Sequence, residues 1–230
     1  VFVGLGVIVV RQGRRRRALR RLAASRGWKL ASMGAGLPVA AGRGAGQFTD
    51  RWTVAPFAGR NHGSVADLLA GEFGGRRFAE FTYSYADRSL GGGGALIGVT
   101  VVGLPVALPR LQVSPQGVEA WLVPGLPDVD LESEAFNRRF RVQAGDRRYA
   151  MDVLNPRTMQ TMLSVPPLTW RIDGSDLIAF GPPTGDPDEI VRRLEAAVAI
   201  ADNIPPFVLE DQRIGPAVPL PGRRKARRRR

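Results

Sequence analysis

Several groups of residues in this 230-residue chain have types that could do chemistry. His62, Ser64 and Asp67 are the residue types of a nucleophilic triad. Asp128, Asp130, Glu132 and Glu134 alternate as carboxylates, raw material for a metal site or for acid–base work. Gly91-Gly92-Gly93-Gly94 could cradle a phosphate, and Phe78, Phe81, Tyr83 and Tyr85 beside Arg76 and Arg77 could stack bases. None of these has the spacing its chemistry needs. Triad members converge from separate segments, with the nucleophile on a strained turn, rather than from one loop. A calcium loop places its ligands around a central glycine, which the acid series lacks. Acids just ahead of a helix favour its positive N-terminal end instead. The glycine tract has no following lysine, so a connector explains it better than a phosphate loop. Strand packing accounts for the aromatic run.

Composition closes further routes. There is no cysteine and His62 is the sole histidine, which excludes disulfides, thiol catalysis and a multi-histidine metal site. No residue is assigned a catalytic, cofactor-binding or metal role. The chain reads as a binding or scaffolding domain without catalysis. Two alternatives stand beside that reading: a hydrolase or transferase with a scattered site, and non-specific nucleic-acid binding through basic tails.

Charge is where the sequence speaks most clearly. The net charge is +12, but residues 1–29 carry nine basic side chains and no acid, and residues 213–230 carry eight and no acid. The stretch between is net acidic. The candidate anion-contact residues are Arg14, Arg15, Arg16, Arg17, Arg20 and Arg21 near the start and Arg227, Arg228, Arg229 and Arg230 at the end. Polybasic segments gain about 1 kcal/mol per Lys or Arg at an anionic lipid surface. The expected partners are therefore a membrane with anionic lipid and an unidentified protein, with specific nucleic acid disfavoured.

Residues 1–10 are an apolar run directly followed by those arginines. Such a junction is how a spanning helix meets the cytoplasm. A span needs about 20 apolar residues, so ten would be part of one. The expectation is a single-pass protein of the cytoplasmic membrane with its main domain in the cytoplasm. The boundaries expected are a partial transmembrane segment at 1–10, a basic juxtamembrane helix at 11–29 and a Gly/Ala-rich linker at 30–46. One α+β domain at 47–212 and a disordered basic tail at 213–230 complete the chain.

Several elements must carry these residues. Leu19, Leu22 and Ala23 have helical spacing, with Gly27 as the stop, and read as a solvated connector. The runs 65–73 and 77–87 flank Gly74-Gly75, a hairpin pair, with the odd positions of the second run facing the core. Short strands are predicted at 96–103, 110–113 and 118–123. Ser133, Asp146 and Asn155 open helices, the last with Pro156 in its first turn. The runs 168–172 and 177–180 read as a hairpin around Asp173-Gly174-Ser175. Asp186-Pro187-Asp188-Glu189 has the pattern of a capping box, and Ile190, Leu194, Ala197, Val198 and Ala201 form the buried stripe behind it. The fold class is α+β: a mainly antiparallel sheet packed against this C-terminal helix, with an N-terminal membrane-proximal helix.

A resemblance covers residues 130–203. The run Asp130-Leu131-Glu132-Ser133-Glu134-Ala135-Phe136-Asn137-Arg138-Arg139-Phe140-Arg141-Val142 resembles the LES-x-x-F-x-x-x-F-x-V stretch of an uncharacterised bacterial family. The likeness continues through Asp146-Arg147-Arg148-Tyr149-Ala150, Leu154-Asn155-Pro156-Arg157-Thr158-Met159 and the strand from Ile172 to Ala179. It implies a membrane segment followed by a cytoplasmic α+β domain, and it supplies no activity.

Overall fold

Two long strands organise the molecule. The structure is a computed structural model that describes residues 2–31, 49–57, 63–86, 94–118 and 123–221. In chain order its elements are α1 (Phe2–Arg26), β1 (Lys29–Ala31), β2 (Ser64–Phe73), β3 (Arg76–Ala86), β4 (Gly94–Pro115), α2 (Glu134–Asn137) and β5 (Phe140–Ala144). Then come α3 (Arg147–Val153), α4 (Pro156–Ser164), β6 (Thr169–Gly181), α5 (Pro187–Asp202), α6 (Pro206–Asp211) and β7 (Gly215–Pro216). β6 follows β4 antiparallel from Gly98↔Gly181 to Val113↔Trp170. The other edge of β4 takes β3 at its start and β5 at its end, and β3 continues outward to β2 and β1. β7 pairs with Val106 and Ala107. The fold is α+β with a large antiparallel sheet.

The sequence reads β4 and β6 as pairs of short pieces, and the structure makes each continuous. Gly103, Pro105 and Pro109 look like breakers because proline cannot donate to a ladder. They fall where the β4–β6 ladder is interrupted, between Gly103 and Leu111. Gly174 does have a left-handed φ of +62°, as a turn would. It sits opposite Leu108 at that irregularity, so it bends one strand rather than reversing the chain. The Gly74-Gly75 pair is a true hairpin turn, with φ of +56° and +75°. The segment 119–122 of the predicted 118–123 strand lies outside the described residues.

Among the described residues, three apolar clusters hold these layers. In the C-terminal half, Leu111, Val113, Val142, Trp170 and Ile172 on the sheet meet Tyr149, Met162, Ala197 and Ala201 of the helices. On the N-terminal half, Ala79, Phe81 and Tyr83, the odd positions of β3, pack with Trp52, Phe57, Val99 and Phe180. The even positions Phe78, Glu80 and Thr82 are buried too. Phe78 joins Leu19, Leu22, Ala23 and Trp28 of the N-terminal region and Ile190 and Leu194 of α5. The helix starts are capped as their residues suggest. Ser133, Asp146, Asn155 and Asp186 each accept from a backbone N–H one turn in. Glu189 does not complete a capping box; it bonds Arg192 at 2.8 Å, and the N–H of Asp186 donates to Thr184 Oγ1.

Three expectations are corrected. No helix among the described residues is long and apolar enough to cross a membrane, so the transmembrane segment and the single-pass placement are not supported. The physical reason lies in α1, one continuous 25-residue helix. The nine residues from Phe2 to Val10 rise only about 14 Å before the arginines enter, against a hydrocarbon core of about 30 Å. The cytoplasmic orientation rested on that span and falls with it. Second, α1 is not a solvated connector, because Leu19, Leu22 and Ala23 dock on the sheet and on α5. Third, described structure continues past residue 213: Gly215 pairs with Ala107, and Leu220 is buried beside Phe81 and Val101.

Candidate functional site

The arginine block of α1 is divided by helical geometry. Leu19, Leu22 and Ala23 set the inward face, and Arg15 and Arg16 lie over it. Arg16 Nε donates to Asp67 Oδ1 at 3.0 Å, and Arg15 Nε stands 3.6 Å from Asp67 Oδ2. Arg15 Nη2 also donates to Thr82 Oγ1. Asp67 has φ of +53° at the irregularity in the β2–β3 ladder between Ala66 and Leu69, which turns its carboxylate toward both arginines. Arg14, Arg17, Arg20 and Arg21 are exposed. Arg14, Arg17 and Arg21 follow i, i+3, i+7 spacing and form one stripe, with Arg20 beside it. Six arginines that look equivalent in sequence therefore have two jobs: two fasten the helix and four face solvent.

Beneath the fastening pair lies a buried ionic clasp. Arg193 of α5 places Nη1 3.5 Å from Glu80 Oε1 and donates from Nη2 to the carbonyl of Pro182 at 2.9 Å. Thr100 donates its hydroxyl to Glu80 Oε2 from the paired strand. Burial pushes the Glu80 carboxyl up to about 7, and Arg193 offsets only part of that. Three glycines make the room. A Cβ on Gly98 would stand 2.5 Å from Arg193 Nη1, one on Gly181 3.0 Å from Arg193 Cζ, and one on Gly185 2.3 Å from Arg15 Cγ.

A second buried polar group lies around the segment 49–57. Trp52 Nε1 donates to Asp176 Oδ2 at 2.9 Å, and Arg51 Nε is 3.0 Å from the same oxygen. Arg110 Nη2 reaches Asp173 Oδ1 at 2.8 Å. Burial raises the Asp176 carboxyl to about 6 against the pull of Arg51, and lowers Arg171 to about 10, still charged at neutral pH.

The other sequence candidates do not assemble. Asp128 accepts two hydrogen bonds from Arg141 at 2.8 and 2.7 Å, Glu134 meets Arg138, and Asp130 and Glu132 are exposed. Among the described residues no group of three or more potential metal ligands comes together. A shallow cleft is lined by Gln116, Asp130, Asn137 and the Asp128–Arg141 pair, whose two charges meet each other. His62, Gly91 to Gly93 and Arg227 to Arg230 lie outside the described residues. Sequence reasoning missed Glu80, Arg193 and Arg171. Arg193 left a trace, since it occupies a stripe position of α5 between Ile190 and Ala197 where a solvated arginine has no place. Arg171 left none, because Trp170 and Ile172 alternate with it as in any half-exposed strand.

No protein-family model matches the chain. Nor does any curated protein match it. Among solved structures, the crystal structure of the mycobacterial trehalose monomycolate transport factor A, TtfA, is similar. The TM-score is 0.59 at 14% sequence identity, with 89% of this chain and 97% of that chain covered. At that identity the likeness is one of fold.

Proposed function

We propose that this chain is a non-catalytic binding module that presents the exposed arginine stripe of α1 to an anionic lipid surface by peripheral contact. One observation carries the reading: Arg14, Arg17, Arg20 and Arg21 face solvent from a helix held by Arg15, Arg16, Leu19 and Leu22. A stripe on a clamped helix loses little entropy when it meets a charged surface, unlike one on a free tail. The transport factor with a similar fold is described by a transport role rather than a reaction, which is compatible with a module that binds. The family resemblance of residues 130–203 belongs to this proposal and adds no activity to it.

The test is sedimentation of the full chain with phosphatidylglycerol vesicles and with phosphatidylcholine vesicles. The expected result is salt-sensitive binding to the anionic vesicles alone. R14Q/R17Q/R20Q/R21Q should weaken it by about 4 kcal/mol, roughly a thousandfold. Equal binding by that variant, or equal binding to neutral vesicles, would overturn the reading. Tighter salt-dependent binding to duplex DNA would replace lipid with nucleic acid as the partner.

A further inference from the structure

At the end of the sheet built from β4, β5 and β6, the face turned away from the helix-covered core is polar and shut. Register places Gln112 of β4 opposite Arg171 of β6 on one side and Gln143 of β5 on the other. Ser114 follows two residues along the same face, while Leu111 and Val113 point into the apolar core. Gln112, Ser114 and Arg171 are each 0% exposed. Among the described residues, none of the three guanidinium nitrogens of Arg171 has a hydrogen-bond partner, nor does either amide atom of Gln112 or the hydroxyl of Ser114. The Arg171 guanidinium lies between two rings, with Cζ 5.0 Å from the centre of Phe180 and 5.7 Å from that of Phe57. Rings attract a cation but give its in-plane N–H groups no acceptor. A buried guanidinium with idle donors is costly, and folded proteins rarely keep one without a use.

We propose that this face is a closed binding site for one small oxyanion, a carboxylate or phosphate group, seated on Arg171, Gln112 and Ser114. The donor set fits. The guanidinium fork binds two oxygens of such a group side by side, and the Gln112 amide and Ser114 hydroxyl add donors from the neighbouring strand. The charge fits as well. Arg51 pairs with Asp176 and Arg110 with Asp173, Asp173 also acts on Arg171, and the three arginines exceed the two carboxylates by one positive charge. Segment 49–57 packs over the Arg171 end, with the Phe57 ring against the guanidinium and Trp52 and Arg51 fastened to Asp176. The three Arg171 nitrogens and the polar atoms of Gln112 and Ser114 are sealed from solvent in this conformation, so entry requires a local opening of the fold.

The site is independent of the α1 stripe, and the experiment separates the two. Inorganic phosphate and acetate are titrated calorimetrically into the full chain at constant ionic strength, with chloride as reference. One-to-one saturable binding of either oxyanion is expected, and whichever binds more tightly identifies the group. Arg171→Met should weaken it about tenfold or more, the worth of a charge-assisted hydrogen bond, while circular dichroism shows the fold retained. Gln112→Leu should weaken it several-fold and serves if the methionine variant fails to fold. R14Q/R17Q/R20Q/R21Q should bind as the parent does. Absence of saturable binding to the parent chain would overturn the proposal. So would equal affinity in whichever of Arg171→Met and Gln112→Leu folds, or loss of binding in the stripe variant.

Discussion

Arg193 of α5 meets Glu80 of β3 across 3.5 Å with both side chains buried, although 113 residues separate them in the chain. Two positions along the same face of β3, Thr82 receives Arg15 of α1. One strand face thus fastens a helix from each end of the sequence. The direction in which the α1 arginines point depends on that shared face.

Glu80 gives the clasp a pH dependence of known sign. Its folded value, about 7, lies above its ordinary 4.5, so the folded state holds the proton more tightly than the unfolded state. The stability that Glu80 contributes is present below about 4.5 and is lost as pH rises to about 7. Glu80→Gln removes this titration. Melting temperature measured against pH should show the variant gaining on the parent across that interval, then a constant difference. A difference that does not vary with pH would place Glu80 at its ordinary value.

Gly185→Ala should loosen α1 selectively. The new methyl would meet Arg15 Cγ at 2.3 Å and Cβ at 2.9 Å, too near the helix backbone for a rotamer change to relieve. Hydrogen exchange should quicken across residues 13–26 while β4 and β6 keep their protection. Uniform exchange in both regions would show that the helix tolerates the methyl.

Leu194→Ala is expected to cost about 2–5 kcal/mol in chemical denaturation, the range for emptying a core leucine site. Leu194 is 0% exposed and packs in the cluster that contains Leu19 and Leu22. The same variant should raise exchange in α1, since the two helices share that cluster. A neutral result would mean that this face of α5 carries no packing.

Leu220→Ala should also destabilise the chain, by about 2–5 kcal/mol if the site does not collapse. Leu220 is 4% exposed within the cluster of Phe81, Val101 and Ile178, and its carbonyl accepts from Arg77. Truncation after residue 213 should lower the melting temperature by at least as much. An unchanged melting temperature would return the segment 214–221 to the status of an unpacked tail.

Local residue chemistry determined a good part of this molecule. The Gly74-Gly75 hairpin, the caps at Ser133, Asp146, Asn155 and Asp186, and the apolar stripe of α5 were legible because each depends on residues within a few positions. The α+β class followed from those elements. The continuity of β4 and β6 was not legible, because prolines and Gly174 look like ends until a neighbouring ladder shows where their missing bonds would fall. The ordered stretch after residue 213 looked like tail because Gly215, Pro216 and Leu220 have no local pattern, and only β4 and the Phe81 cluster give them partners. The arginine block was visible as charge, but its division was not. Helical phase, Asp67 and the apolar contacts of α1 decide that Arg15 and Arg16 turn inward while Arg14, Arg17, Arg20 and Arg21 turn out. Glu80, Arg193 and Arg171 stand furthest from the sequence. A charged side chain is read as solvated until other segments close over it, and Glu80 and Arg193 stand 113 residues apart. Pattern within one element reports its own faces; which of those faces loses its water is decided only by what the rest of the chain packs against it.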